Sequence, residues 1–231
     1  MFVSIYIVKY PKKYIAFAFF AMALHRLPLL LNKKCTFWKL LGCGKNGTFD
    51  INPDYQKWGL LTVWQNENDL EEFKMHSFIV KWWSFFCIEQ YHILAQPLEA
   101  HGKWSGKEPF GNPKIKDYHG QVAVLTRATI RLNKLKNFWA NVPAVARIMA
   151  NAKGFVTSVG IGEAPFFMQA TLSVWHSVED VKNFAYKSKE HAEVIKLTRS
   201  QNWYTEELFA RFKILKTHGT MDGFDPINNK S

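Results

Sequence analysis

The chain has 231 residues, 48% of them apolar and 21% charged, which is enough for one or two packed domains and excludes a disordered chain. Three cysteines, Cys35, Cys43 and Cys87, with no C-x-x-C spacing, exclude a disulfide framework and a cysteine-built zinc site and suit a reducing compartment. The net charge is +11 with the basic residues scattered, and no nucleic-acid motif accompanies them, so the charge suits a solvated surface or an anionic lipid face.

In chain order, residues 3–9 read as a strand and 13–25 as a helix. The apolar run Ile15–Leu24 is about ten residues, short of the roughly 20 that span a bilayer. It can be read as a signal-peptide core with Ala21-Met22-Ala23 as cleavage-like site. The alternative is an amphipathic helix with Ile15, Ala18, Phe19 and Met22 facing the core, and the strand before it favours that one. A strand near Phe37–Gly42, a strand at 58–64, a helix at 68–86 and a strand at 90–98 complete a first half. The second half has a strand at 121–131, a helix at 134–150, strands at 154–160 and 167–175, helices over 178–199 and a strand at 206–215.

Each half is βαββαβ, the ferredoxin-like order. The expected fold is α+β: two tandem ferredoxin-like halves forming a pseudo-dimer of the dimeric α+β barrel kind, with sheets facing and helices outside. The halves are placed at 1–100 and 121–216, joined by a Gly- and Pro-rich linker at 101–120 and followed by a tail at 217–231. An internal repeat supports the halves. Thr62-Val-Trp-Gln-Asn-Glu-Asn-Asp-Leu-Glu-Glu-Phe73 aligns with Ser173-Val-Trp-His-Ser-Val-Glu-Asp-Val-Lys-Asn-Phe184 at an offset of 111 residues.

Such packing gives the strand at 121–131 a polarity. Val122, Val124, Thr126, Ala128 and Ile130 suit the helices; Ala123, Leu125, Arg127, Thr129 and Arg131 share the other face. Arg127 and Arg131 then point to a cavity or its rim, or lie at a strand end in solvent. No H-E-x-x-H, G-x-S-x-G or P-loop pattern occurs. Gly160-Ile-Gly162 reads as a turn, and Glu163 as an internal acid or a solvated turn carboxylate. His191, on a helix continued from Val181, falls about 20° from Phe184 on the apolar side. It reads as a core histidine or as a haem-iron ligand. Thiolate ligation through a cysteine is the alternative, although Cys87, after Trp82-Trp83-Ser84-Phe85-Phe86, reads as core.

Several segments together resemble the spheroidene monooxygenase (carotenoid ketolase) family. They are Leu125-Thr-Arg-Ala-Thr-Ile-Arg131, Phe138-Trp139, Val142-Pro143, Gly160-Ile-Gly-Glu-Ala-Pro165, Gln169-Ala-Thr-Leu-Ser-Val-Trp175, Phe184-Ala-Tyr186, His191, and Trp203-Tyr-Thr-Glu-Glu-Leu-Phe-Ala-Arg-Phe212. Arg26-Leu-Pro28, Phe37-Trp-Lys-Leu40, Gly42, Gly44, Trp104-Ser-Gly106 and Pro109-Phe110 also fit; Tyr204 stands where the family pattern suggests Phe.

The resemblance implies a haem-dependent monooxygenase that uses dioxygen and an external electron donor to oxygenate a carotenoid or similar apolar substrate. It implies His191 as the haem-iron ligand, and Arg127 as a polar group near bound oxygen or, with Arg131, a partner of the haem propionates. A different haem reaction of dehydratase or peroxidase type, or a non-catalytic haem- or lipid-binding barrel, are the alternatives. The expected setting is cytoplasmic with room for peripheral membrane contact and for a homo-oligomer; no nucleic-acid partner is expected. The aromatic share of 16% fits a planar or polyene ligand.

Overall fold

The structure is a computed structural model and describes residues 1–45, 51–115, 117–187, 198 and 200–228. The strands are β1 (Phe2–Lys9), β2 (Cys35–Gly44), β3 (Pro53–Trp64), β4 (Glu89–Gly102), β5 (Val122–Ile130), β6 (Phe155–Ala164), β7 (Met168–Trp175) and β8 (Tyr204–Gly219). The helices are α1 (Ile15–Leu24), α2 (Arg26–Leu31), α3 (Glu67–His76), α4 (Phe78–Phe86), α5 (Leu135–Ala150) and α6 (Val178–Lys187). In the sheet the strands run β1-β3-β2-β6-β7-β5-β8-β4, a closed barrel. Each set of four strands has the ferredoxin-like order, β4-β1-β3-β2 and β8-β5-β7-β6, as the sequence order implies.

Two compact units divide the chain. One comprises Met1–Cys43, Asp54–Pro97 and Ile214–Ser231; the other comprises Gly44–Pro53 and Leu98–Lys213. In the first, β1 is central, paired antiparallel with β3 from Phe2↔Trp64 to Lys9↔Lys57 and with β4 from Val3↔Ala95 to Lys9↔Glu89. A strand paired on both edges and covered on both faces reads as a continuous apolar run, and Val3 to Val8 are all buried. Its helix-side core joins Tyr6, Val8 and Leu60 to Ala18, Leu70, Phe73, Ile79 and Trp83. In the second unit β5 is central between β7 and β8, and Val122 and Val124 pack with Met149 of α5, Val181 of α6 and Trp175. The branched face of this strand thus meets the helices.

The internal repeat has a physical content. Trp64 closes β3 and Trp175 closes β7; each indole N–H donates to the hydroxyl two residues earlier, Thr62 at 2.8 Å and Ser173 at 2.9 Å. Two residues further, Asn66 accepts the Asp69 amide and Ser177 the Asp180 amide, capping α3 and α6. Each tryptophan then meets the phenylalanine of its helix, Phe73 or Phe184, at a centroid distance of 5.1 Å. Hydroxyl, tryptophan, cap and phenylalanine form one strand-to-helix corner, used twice.

Several local expectations change. The helix expected over 68–86 is two helices, broken at Ser77, which is extended and caps α4 through Val80. The first helical region continues past His25 to Leu31. Its core stripe is Ala18, Ala21, His25 and Leu29, while Phe19 is 49% exposed and rests on Tyr55 and Trp58. Two alanines bring the helix close to its core, and the bulkier rings are turned outward. Gly160-Ile-Gly162 is strand rather than turn: it lies inside β6, opposite Thr171, Ala170 and Gln169. A Cβ on Gly162 would stand 2.7 Å from the Met168 carbonyl oxygen, so close strand approach explains this glycine. The Gly- and Pro-rich segment after β4 is irregular but anchored by buried Trp104 and Phe110.

Candidate functional site

The site is built from the second unit. Strand alternation turns the Arg127 side chain away from the helix-facing valines, and the residues opposite it in the ladders are Ala170 on β7 and Leu208 on β8. Arg127 is 3% exposed. A guanidinium so buried requires acceptors. Glu206, on β8, takes Nη1, and Glu163, on β6, takes Nη2 at 3.4 Å. The Trp104 indole donates to the same Glu163 oxygen at 2.5 Å, and its ring lies 5.7 Å from the Arg127 Cζ. Glu206 also accepts the amides of Ser105 and Gly106 at 2.9 and 2.7 Å. Those amides point together because Ser105 and Gly106 both have positive φ, 54° and 73°.

Burial alone would push the Glu206 carboxyl up. The Gly106 and Ser105 amides and the Arg127 guanidinium outweigh this and hold it below the usual carboxylate range. The pairs fix the plane of the guanidinium, whose Nε is buried and has no hydrogen-bond partner among the described residues.

Arg131 shares the alternation of Arg127 in sequence, but β5 ends at Ile130 after a register shift at Thr129/Ile130. Arg131 takes no part in the Arg127 ion cluster among the described residues. Its amide donates to the Trp203 carbonyl at 2.8 Å, and its Nε too is buried, with no hydrogen-bond partner among the described residues. His191 lies outside the described residues. The helix leading to it is described to Lys187, with Val181 and Phe184 packed on Trp175 as the inward side. Glu163, which reads from sequence as an internal acid or a solvated turn carboxylate, is a strand residue held by Arg127 and Trp104. Glu206 and Trp104 were not singled out by sequence reasoning. Their signal lay in Trp104-Ser-Gly106 and in Trp203-Tyr-Thr-Glu-Glu207, two of the resembling segments, which meet Gly160-Ile-Gly-Glu163 at this cluster.

Among the described residues no group of three or more His, Cys, Asp or Glu side chains could hold a metal ion. Burial pushes the thiols up, Cys35 to about 11 and Cys43 and Cys87 to about 12, so they stay protonated at neutral pH and are poor thiolate donors. A haem would require one axial donor and cationic or N–H partners for its carboxylates. Among the described residues the Nε–H groups of Arg127 and Arg131 are buried without a partner, which fits the second requirement.

The family described as "Domain of unknown function (DUF3291)" matches residues 121–212. A protein named spheroidene monooxygenase from Cereibacter sphaeroides is 38% identical over 207 residues, 89% of this chain and 62% of that protein, so the chain spans under two thirds of that relative. The spheroidene monooxygenase of Rhodobacter capsulatus is 33% identical over 211 residues, 90% of this chain and 88% of that protein. Among solved structures, aldoxime dehydratase superposes with a TM-score of 0.61 at 9% identity, covering 92% of this chain and 80% of that one, a likeness of fold.

Proposed function

This chain belongs to the spheroidene monooxygenase family, and we propose that it is a monooxygenase that inserts oxygen into a carotenoid or similarly apolar substrate. The observation that carries the reading is the match at 33% identity over nearly the whole of this chain and of the Rhodobacter capsulatus relative. The reaction turns a C–H bond into C–OH with one dioxygen, two electrons from an external donor and two protons, and releases one water. A second insertion at the same carbon gives a geminal diol, which loses water to a ketone.

The residues suit haem as cofactor, with His191 as iron ligand and Arg127 and Arg131 as partners of its carboxylates. Haem, when bound, supplies the activation of dioxygen. Arg127 contributes its Nε–H as a donor at a buried position, held in plane by Glu163 and Glu206, with its charge already paired by Glu206. The two carboxylates keep that charge stable out of water. Arg127 accordingly stabilises negative charge near the reacting oxygen or on a haem carboxylate, and Glu163, Glu206 and Trp104 are positioning residues.

The test is a pyridine haemochrome assay on protein from haem-replete cells, followed by turnover of an acyclic carotenoid with dioxygen and reductant. The expected product carries label from ¹⁸O₂, and His191→Ala removes the Soret band; a fully retained band overturns the ligand assignment. Turnover without dioxygen points instead to dehydratase-type chemistry. A colourless protein without turnover points to a lipid-binding barrel.

A further inference from the structure

The first 49 residues contain eight Lys or Arg and no Asp or Glu, so most of the chain's net charge of +11 is concentrated there. The same stretch carries α1 and α2, whose outward side is as apolar as their inward side. Ala18, Ala21, His25 and Leu29 hold the pair against the core of the first unit, and the remaining surface is not polar. Phe17, Phe20, Leu27, Leu30 and Leu31 are exposed, Phe20 by 59% and Leu31 by 71%. The face continues onto α4: the Phe17 ring stacks on Phe86 at 4.9 Å, and Phe86 meets Phe85, itself 76% exposed, at 4.8 Å. Exposed apolar side chains normally occur singly, so a contiguous aromatic and leucine face requires a covering partner.

We propose that this face docks in the plane of an anionic phospholipid bilayer. Charge selects that occupant. Exposed Lys12 and Lys13 precede α1, exposed Lys33 follows α2, and exposed Arg26 and Lys81 lie within α2 and α4, with no acidic residue on α1, α2 or α4. Cations flanking an apolar helical face are the pattern of an interfacial helix, and each cation near an anionic surface raises partitioning by roughly fivefold. Lys34 is excluded from this set because Asp69 and Glu72 pair with it.

The run Lys12–Leu31 is long and apolar enough to cross a membrane. The buried stripe nevertheless ties it to the core, which makes an in-plane orientation the one compatible with the folded unit. Side chains such as Phe20 and Leu31 then enter the acyl boundary while the lysines reach the headgroups. This inference stands on the surface alone. It does not require the proposed reaction, although a bilayer is where a carotenoid would be met.

The experiment is cosedimentation of the full-length protein with phosphatidylcholine vesicles, with and without about one third phosphatidylglycerol, in the absence of carotenoid. Binding is expected with phosphatidylglycerol, weaker by at least tenfold without it, and reduced by added salt. Phe20→Ser with Leu30→Ser should lower binding at least tenfold at an unchanged thermal midpoint, since both side chains are exposed. Lys12→Glu with Lys13→Glu should remove the phosphatidylglycerol preference. Absence of binding, or equal binding by wild type and the apolar variant, overturns the proposal. So does a lipid-free dimer in sedimentation velocity that the Phe20/Leu30 variant dissociates, which would assign the face to a second copy of the chain. Haem content and turnover are separate readouts, so failure here leaves the monooxygenase reading to its own test.

Discussion

Arg127 is the residue on which the second unit's polar interior turns. Its two terminal nitrogens meet two carboxylates, and the partners' side chains are only 18% and 23% exposed, so removing the cation leaves carboxylates with little water to replace it. Arg127→Ala should therefore cost about 3 kcal/mol in equilibrium denaturation, while the combination Arg127→Met with Glu206→Gln should cost less than the sum of the two single changes. A double-mutant cycle in urea measures both. Additive effects would show that the cluster carries no coupling. In the holoenzyme, Arg127→Lys should keep the charge but lose the Nε–H direction, lowering kcat more than it raises KM. The residue itself was legible in sequence, since alternation along 121–131 places it opposite the valines. Its partners were not. Glu163 lies 36 residues away and Glu206 lies 79, and only the registers of β6, β7, β5 and β8 bring them together.

At the scale of elements, the strand-to-helix corner is the clearest case of sequence that carries its own structure. Asn66 and Ser177 are equivalent caps, each accepting the amide three residues on. Asn66→Ala and Ser177→Ala should each cost about 1 kcal/mol, and the double variant should cost the sum, because the two caps share no partner. Thermal or denaturant midpoints of the three proteins check this. The break between α3 and α4 was hidden for a physical reason: Glu67 to Phe86 keeps helical periodicity, and a lone serine is compatible with a helix interior. Ser77 breaks it because its hydroxyl caps α4 while its amide still closes α3 on the Phe73 carbonyl. Likewise the spacing of Ile15, Ala18, Phe19 and Met22 identified a helix but not its inward side, because this helix is apolar all round. The small Ala18 and Ala21 decide which side approaches the core.

For the whole molecule, acid sensitivity is the expected consequence of its buried histidines. His25 is enclosed by Phe78, Trp82 and Trp83, with Nε2 lacking a partner among the described residues. Burial holds it neutral, down to about 4 from the usual 6.5. His92, hydrogen-bonded to Ser4 and stacked on Tyr6, is lowered to about 3, first by burial and then by Lys74 and His218. Both values lie below that of the unfolded chain, so the stabilisation is complete above pH 6.5 and is lost as pH falls from 6.5 towards 4 for His25 and towards 3 for His92. The loss for His25 alone amounts to up to about 3 kcal/mol. His25→Phe, which keeps an aromatic ring in an aromatic enclosure, should flatten the upper part of this dependence when denaturation midpoints are followed from pH 7 to pH 4. An unchanged slope would place the acid sensitivity elsewhere.

The sequence by itself determined the order of strands and helices, the doubling of that order, the family, and the facing of β5. These rest on local periodicity and on short corners whose partners are within about ten residues, where chain connectivity already places the groups side by side. Only the tertiary structure decided that Glu163 and Glu206 hold Arg127, that β6 continues through Gly160-Ile-Gly162, and that the first helices keep an apolar face outside the core. Each depends on which strand edges pair and in what register, and on which side of a uniformly apolar helix packs closest. Those choices are made by contacts between residues far apart in the chain, and no local pattern encodes them.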